Sequence, residues 1–105
     1  MVYVFDIDGT ICITEGSNYE GSVPIQERIK KVNNLYDRGH VVIMQTARGM
    51  GRTNQNELEA YRLLYSFTYK QLIDWGVKFH KLMLGKPAAD YYVDDKAIND
   101  MEFFN

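Results

Sequence analysis

Val2-Tyr3-Val4-Phe5-Asp6-Ile7-Asp8-Gly9-Thr10 is the stretch from which the rest of the chain is read. An apolar run leads into two carboxylates at i and i+2, followed by glycine and threonine. A short run rich in valine and aromatics predicts a strand buried on both faces, as in a parallel sheet. Residues i and i+2 of a strand share a side, so Asp6 and Asp8 converge where this strand ends. Gly9 allows the backbone to leave at an angle that other residues resist, and Thr10 brings a hydroxyl close to both acids. Two crowded aspartates repel each other, and they require a cation or a shared proton.

The bulk composition bounds what can be built around that stretch. A chain of 105 residues has room for one domain, 1–105, with one core. Hydrophobic residues at 46% and charged residues at 25% are those of a globular protein, not a disordered one. A net charge of −2 gives no basic field to attract nucleic acid. The single cysteine, Cys12, excludes an internal disulfide framework and fits a reducing compartment. Cys12 borders the acidic motif, where a thiolate is disfavoured, so a catalytic thiol is not expected. The apolar run before Asp6 is too short for a signal peptide or a membrane span. Together these features predict a soluble cytoplasmic protein.

Working outward, Ile11 to Ser22 lacks sustained periodicity and reads as a loop or small flap. Pro24 fits the first turn of a helix whose apolar face is Ile25, Ile29, Val32 and Leu35 or Tyr36, with Gly39 as its stop. Val41 to Met44 is a second buried strand, ending at Gln45 and Thr46. A glycine-bearing loop with Arg48 and Arg52 follows. Asn54 with Glu57 three residues on resembles a capping box. A long helix then runs to Gly76, weakest at Ser66-Phe67-Thr68-Tyr69, where a kink is expected. Its tyrosines read as core and rim packing. Leu82-Met83-Leu84 is a third strand and Tyr91-Tyr92-Val93 a fourth, with Phe103 and Phe104 docking on the core. Strands alternating with helices predict a doubly wound, Rossmann-like α/β fold with a parallel sheet of about four strands. Ligands of such sheets bind at the carboxyl ends of the strands. Those ends carry Asp6 and Asp8, Thr46, Lys86, and Asp94 with Asp95.

In this order, FDIDGTIC, TARG, LGKP and YYVDDKAI resemble the four motifs of the haloacid dehalogenase-like (HAD-like) phosphohydrolases. Within them the chain is most similar to the small phosphatase-like proteins of capsular polysaccharide biosynthesis. The resemblance spans nearly the whole chain and implies an aspartyl-phosphate mechanism. It makes Asp6 the nucleophile and Asp8 the general acid and base. Thr46 is then a hydrogen-bond donor to the phosphoryl group, and Lys86 the fixed positive charge against it. Gly9, Thr10, Ala47 and Arg48 border the phosphate or substrate, with Arg48 free to grip a second polar group. Asp6, Asp8 and Asp94, with Asp95 directly or through water, form an oxygen-rich site suited to Mg2+. Asp100 either supports that shell or caps a helix. Arg52, His40 and His80 read as surface or rim residues.

Two other classes compete with this reading. Receiver-like signalling domains also combine an acidic pair, a phospho-accepting Asp, a Thr and a Lys, but their acidic pair follows the first strand and the acceptor the third. Here the third strand ends in Gly85-Lys86 and the acidic pair comes last. The other alternative is a catalytically retired relative acting as a regulatory module. Neither interval that could hold a cap domain is long enough for one: Ile11–Val23 suits a flap, and Ala47–Gly85 is used by one helix and one strand. The expectation is therefore a capless enzyme with an open mouth, acting on a small phosphorylated sugar or polyol, with enclosure by a homo-oligomer as an option.

Overall fold

Val2–Asp6 forms β1, and in the computed structural model, which describes residues 1–105, it lies at one edge of a sheet rather than at its centre. The chain continues through β2 (Cys12–Ile13), a 3-10 turn at Tyr19–Gly21, β3 (Val23–Pro24), α1 (Gln26–Asp37), β4 (Val41–Gln45), α2 (Glu57–Asp74), β5 (Lys81–Met83) and α3 (Asp100–Phe103). The main sheet has the order β1-β4-β5, and both pairings are parallel. β2 and β3 make a separate antiparallel ribbon, the flap expected between Ile11 and Ser22.

The register shows which face is covered. Phe5, Met44 and Leu82 are aligned neighbours, as are Val4, Ile43 and Lys81. Phe5, Val42, Met44 and Leu82 are buried in the core beside Ile29 and Val32 of α1 and Leu64 and Leu72 of α2. The opposite face carries Val2, Val4 and Val41, which are 64%, 56% and 39% exposed. Successive crossovers moving in one direction across a sheet, each right-handed, place their helices on the same side. The sheet is thus wound on one face. The expected burial of β1 on both faces, and the doubly wound architecture, are corrected accordingly.

The fourth strand is also absent. Every residue from Pro87 to Asn99 is exposed and none belongs to a strand, with Tyr91 at 87% and Val93 at 99%. Strand-forming residues need a partner edge, and seven residues after Met83 are too few for a parallel crossover, which takes about a dozen.

Local chemistry accounts for the helix limits. Pro24 lies in the flap ribbon rather than in the first turn of α1, which starts at Gln26 without a side-chain cap. The α1 stop is as expected: Gly39 takes φ +91°, where a Cβ is disfavoured, and the His40 N–H bonds back to the Leu35 carbonyl. The capping box at Asn54 does not form. Asn56 is the cap of α2, its side chain accepting from the Glu59 N–H at 3.1 Å, while Asn54 and Gln55 both hold positive φ. α2 runs unbroken through Ser66–Tyr69, because Thr68 is fully buried there and serves the site described next. No helix is long and apolar enough to cross a membrane.

Candidate active site

The carboxyl edge of the sheet gathers the opening motif as its sequence demands. Asp6 is the last residue of β1. Beyond it, Gly9 takes φ +82°, so the Gly9 N–H can donate to the Cys12 carbonyl and close a tight turn. That turn carries Thr10 back over the strand end, where its Oγ1 donates to Asp6 Oδ2 at 3.0 Å. Lys86, delivered by the turn after β5, sets its Nζ 3.5 Å from Asp6 Oδ1. Both oxygens of Asp6 thus face a donor, and the carboxylate remains about one-third exposed.

Asp8 is held differently. Arg48 Nε donates to Asp8 Oδ2 and Arg48 Nη2 to Asp8 Oδ1, each at 2.9 Å. This two-pronged clamp orients the carboxylate more rigidly than a single bond. Thr14 Oγ1 adds a bond to Asp8 Oδ1 at 2.6 Å. The expectation that Arg48 reaches out to substrate is corrected here. Its side chain has no exposed surface, and its Nη1 is engaged by Gln71 Oε1 at 2.7 Å and Thr68 Oγ1 at 3.3 Å. Its guanidinium also lies 4.6 Å from the centre of the Tyr19 ring. Gln71 closes the circuit by donating to the Tyr19 carbonyl. Arg48 is a strut tying β1, the flap and α2 together, not a substrate arm.

Thr46 follows β4 and is buried, its Oγ1 accepting from the Arg48 N–H at 3.1 Å. Its hydroxyl proton makes no bond within the protein, so it is free to donate. Ala47, half-buried, lies between the buried Thr46 and Arg48. Cys12 borders the site, with its Sγ 3.6 Å from Asp8 Oδ1. Burial, foremost, pushes its thiol above the usual range, and the neighbouring Asp8 adds to this. It is a packed thiol rather than a nucleophile.

The segment carrying Asp94 and Asp95 reaches this edge through Tyr92, whose ring centre lies 4.4 Å from Lys86 Nζ. Both aspartates are exposed in the segment that forms no strand, and the Lys96 N–H, bonded to Asp94 Oδ1 at 2.9 Å, holds the Asp94 carboxyl below its ordinary value. No three acidic, histidine or cysteine side chains gather as a metal ion requires. Asp6, Asp8, Asp94 and Asp95 are thus not drawn into one cluster in this structure. Asp100 does not cap a helix but supports the site from behind, through Arg28. Its Oδ2 accepts from Arg28 Nη1 at 2.7 Å, and the cap of α3 is Asn99. Arg28 also donates to the Thr10 carbonyl at 2.9 Å, fixing the turn behind Asp6.

Thr14, Tyr19, Arg28, Thr68 and Gln71 were not legible as site residues. The one signal was Thr68, a β-branched polar residue in mid-helix whose oxygen now serves Arg48. His80 is more than a rim residue, since its Nδ1 accepts from the Val42 N–H at 3.0 Å and its ring stacks on Tyr36. Arg52 lines a hollow of about 310 Å³ with Ser17, Tyr19, Glu20, Leu63 and Phe67. Tyr19 thus borders this hollow and also meets the Arg48 guanidinium.

No family model matches the chain, and no curated protein matches it. A crystal structure of a target protein from Vibrio cholerae has the same fold, with a TM-score of 0.90 at 24% identity. The match covers 98% of this chain and 86% of that one.

Proposed function

We propose that the protein is a phosphatase that forms an aspartyl-phosphate on Asp6 and acts on a small phosphorylated sugar or polyol of surface-polysaccharide metabolism in the cytoplasm. One observation carries this reading. Asp6 is a partly exposed carboxylate at a strand end, with Lys86 on one oxygen and Thr10 on the other, beside an Asp8 clamped from behind. A nucleophile must be reachable, and its charge must not repel the incoming phosphate. Lys86 answers both needs, neutralising Asp6 and offering positive charge to the phosphoryl oxygens.

In the proposed reaction an Asp6 oxygen attacks phosphorus as the bond to the sugar oxygen breaks. The proton for the leaving alkoxide comes from Asp8. Water then attacks the acyl phosphate, giving its proton back to Asp8 and releasing phosphate and the Asp6 carboxylate. The Arg48 fork occupies both Asp8 oxygens, so one of its bonds must open each time Asp8 carries the proton. The Thr46 hydroxyl is the remaining donor for a phosphoryl oxygen. The flap and the hollow beside Tyr19 are the surfaces from which a small sugar would be selected. The family resemblance adds magnesium, which Asp6 and Asp8 with Asp94 or Asp95 would hold and which would neutralise charge on the phosphoryl group, and no step above passes through it.

That Asp94 and Asp95 lie in a segment without strand structure, not clustered with Asp6 and Asp8, favours a second reading, a retired or receiver-like regulatory module that accepts phosphate without turning over. The test is a panel of sugar and polyol phosphates assayed for phosphate release with magnesium. Wild type is expected to turn over at least one, Asp6→Asn to form no phosphoenzyme, and Asp8→Asn to trap phosphoenzyme from a nitrophenyl ester. Stable phospho-Asp6 in wild type, without phosphate release, would establish the second reading instead.

A further inference from the structure

We infer that the hollow bounded by Tyr19 and Arg52 is a subsite for an acidic sugar, so that the preferred substrate carries a carboxylate on the part of the sugar remote from its phosphate. The inference rests on the phosphatase reading for the reacting end of that substrate, while the hollow stands on its own residues. The floor of the hollow is apolar, with Leu64 buried and Phe67 half-buried. Its volume of about 310 Å³ lies at the small end of ligand sites, which span about 300–1,000 Å³. That is room for one sugar unit and not for a polymer. A sugar ring presents C–H groups on its faces and hydroxyls around its rim, and an apolar floor between polar walls serves both.

The charges on those walls narrow the ligand. Arg52 and Glu20 both border the hollow, and neither takes part in an ion pair of the chain. Two opposite charges thus line one small space without meeting. Glu20 can only accept, so it suits sugar hydroxyls. Arg52 can only donate, through a planar fork that matches a carboxylate with two parallel bonds. A carboxylate balances Arg52 one to one. A second phosphate, as a dianion, would leave charge uncompensated and facing Glu20.

Both walls are braced before any ligand arrives, which lowers the ordering cost of binding. On the arginine side, Thr53 Oγ1 donates to the Gly49 carbonyl at 2.6 Å and the Gln55 N–H to the Met50 carbonyl at 2.6 Å. Met50 anchors that loop in the interior. On the flap side, Gln71 holds the Tyr19 carbonyl at 2.7 Å, and the Tyr19 ring rests on the Arg48 guanidinium. The same ring links the hollow to the chemistry. Asp8 meets the sugar oxygen that departs, Arg48 lies 2.9 Å from Asp8, and the Tyr19 ring centre 4.6 Å from Arg48. A sugar that begins at Asp8 and extends past Tyr19 brings its far end to Arg52.

Two measurements test this. The first compares glucuronic acid 1-phosphate with glucose 1-phosphate at constant ionic strength. Wild type is expected to favour the acidic ester by about tenfold in kcat/KM, expressed in KM because the carboxylate is held alike before and during the reaction. Arg52→Gln is expected to erase that preference. No preference in wild type, or one that survives Arg52→Gln, would overturn the inference, as would a stronger preference for glucose 1,6-bisphosphate. The second needs no turnover. Amide resonances of the ¹⁵N-labelled chain are followed as glucuronate is added, and those of Tyr19, Glu20 and Arg52 are expected to shift where glucose leaves them in place. The Arg52→Gln chain, its fold verified by the same spectra, is expected to lose the response. Shifts with glucuronate in a protein that releases phosphate from no ester would uphold the subsite and sink the phosphatase reading. Release from nitrophenyl phosphate without any such shifts would sink the subsite and leave the phosphatase reading standing.

Discussion

At the residue scale the site turns on how differently two neighbouring aspartates are treated. Asp6 is left reachable and is touched by a flexible lysine. Asp8 is locked by an arginine with no exposed surface. The spacing of the two acids was legible because the strand period sends i and i+2 to one side. The clamp was not, because nothing in a single chain distinguishes an arginine that turns inward from one that reaches for solvent. What commits Arg48 to the interior is the set of acceptors waiting there, Asp8 from the opening motif and Thr68 and Gln71 from α2, two distant parts of the sequence. Replacing it with methionine leaves those acceptors without their donor, and removing one partner of a buried pair typically costs about 3–5 kcal/mol. Asp8 retains some solvent, so Arg48→Met is expected near the lower end, read as a fall in the urea midpoint at constant slope. Arg48→Lys should recover little, because an ammonium cannot bond both Asp8 oxygens with a planar fork. Full stability with lysine would show that charge alone holds Asp8.

Among the elements, the junction between α2 and the turn after β5 is the most constrained. Gly85 takes φ +92°, and a Cβ there would lie 2.7 Å from Cγ of Glu57, in the first turn of α2. The turn must adopt this shape to aim Lys86 at Asp6. Gln55 reinforces it from the arginine loop, donating to the Ala88 carbonyl at 2.9 Å and accepting from the Ala88 N–H at 3.1 Å. Gly85→Ala therefore meets two penalties, a backbone conformation costing about 1 kcal/mol or more for a residue with a Cβ, and the clash with Glu57. Adding Glu57→Ala is expected to relieve the clash but not the conformation, giving a double variant of intermediate stability. Strict additivity of the two changes would show that the residues do not meet. This arrangement could be read only in part: the glycine announced a turn, while its pressure against Glu57 is a tertiary fact with no local signature. The displaced cap of α2 has the same origin, since Asn54 and Gln55 are held in left-handed conformations and Asn56 takes over as cap.

For the whole molecule, the parallel order of strands and helices followed from periodicity, and the site edge followed from that order. The error lay in reading a strand at Tyr91–Val93. The segment has the composition of a strand, but composition cannot say whether an edge receives it, and here it stays exposed and forms no strand. If the exposed edge of β1 is covered by a second copy, folding and association become one equilibrium, and stability depends on protomer concentration. The midpoint of thermal unfolding of the wild type should then rise with concentration, each tenfold increase contributing about 1.4 kcal/mol per mole of dimer to the folded side. A chain that stays monomeric should unfold at one temperature regardless of concentration, because it has no association step. Scans over two decades of concentration separate the cases, and a wild-type midpoint that stays fixed would mean the exposed edge of β1 is left bare in solution.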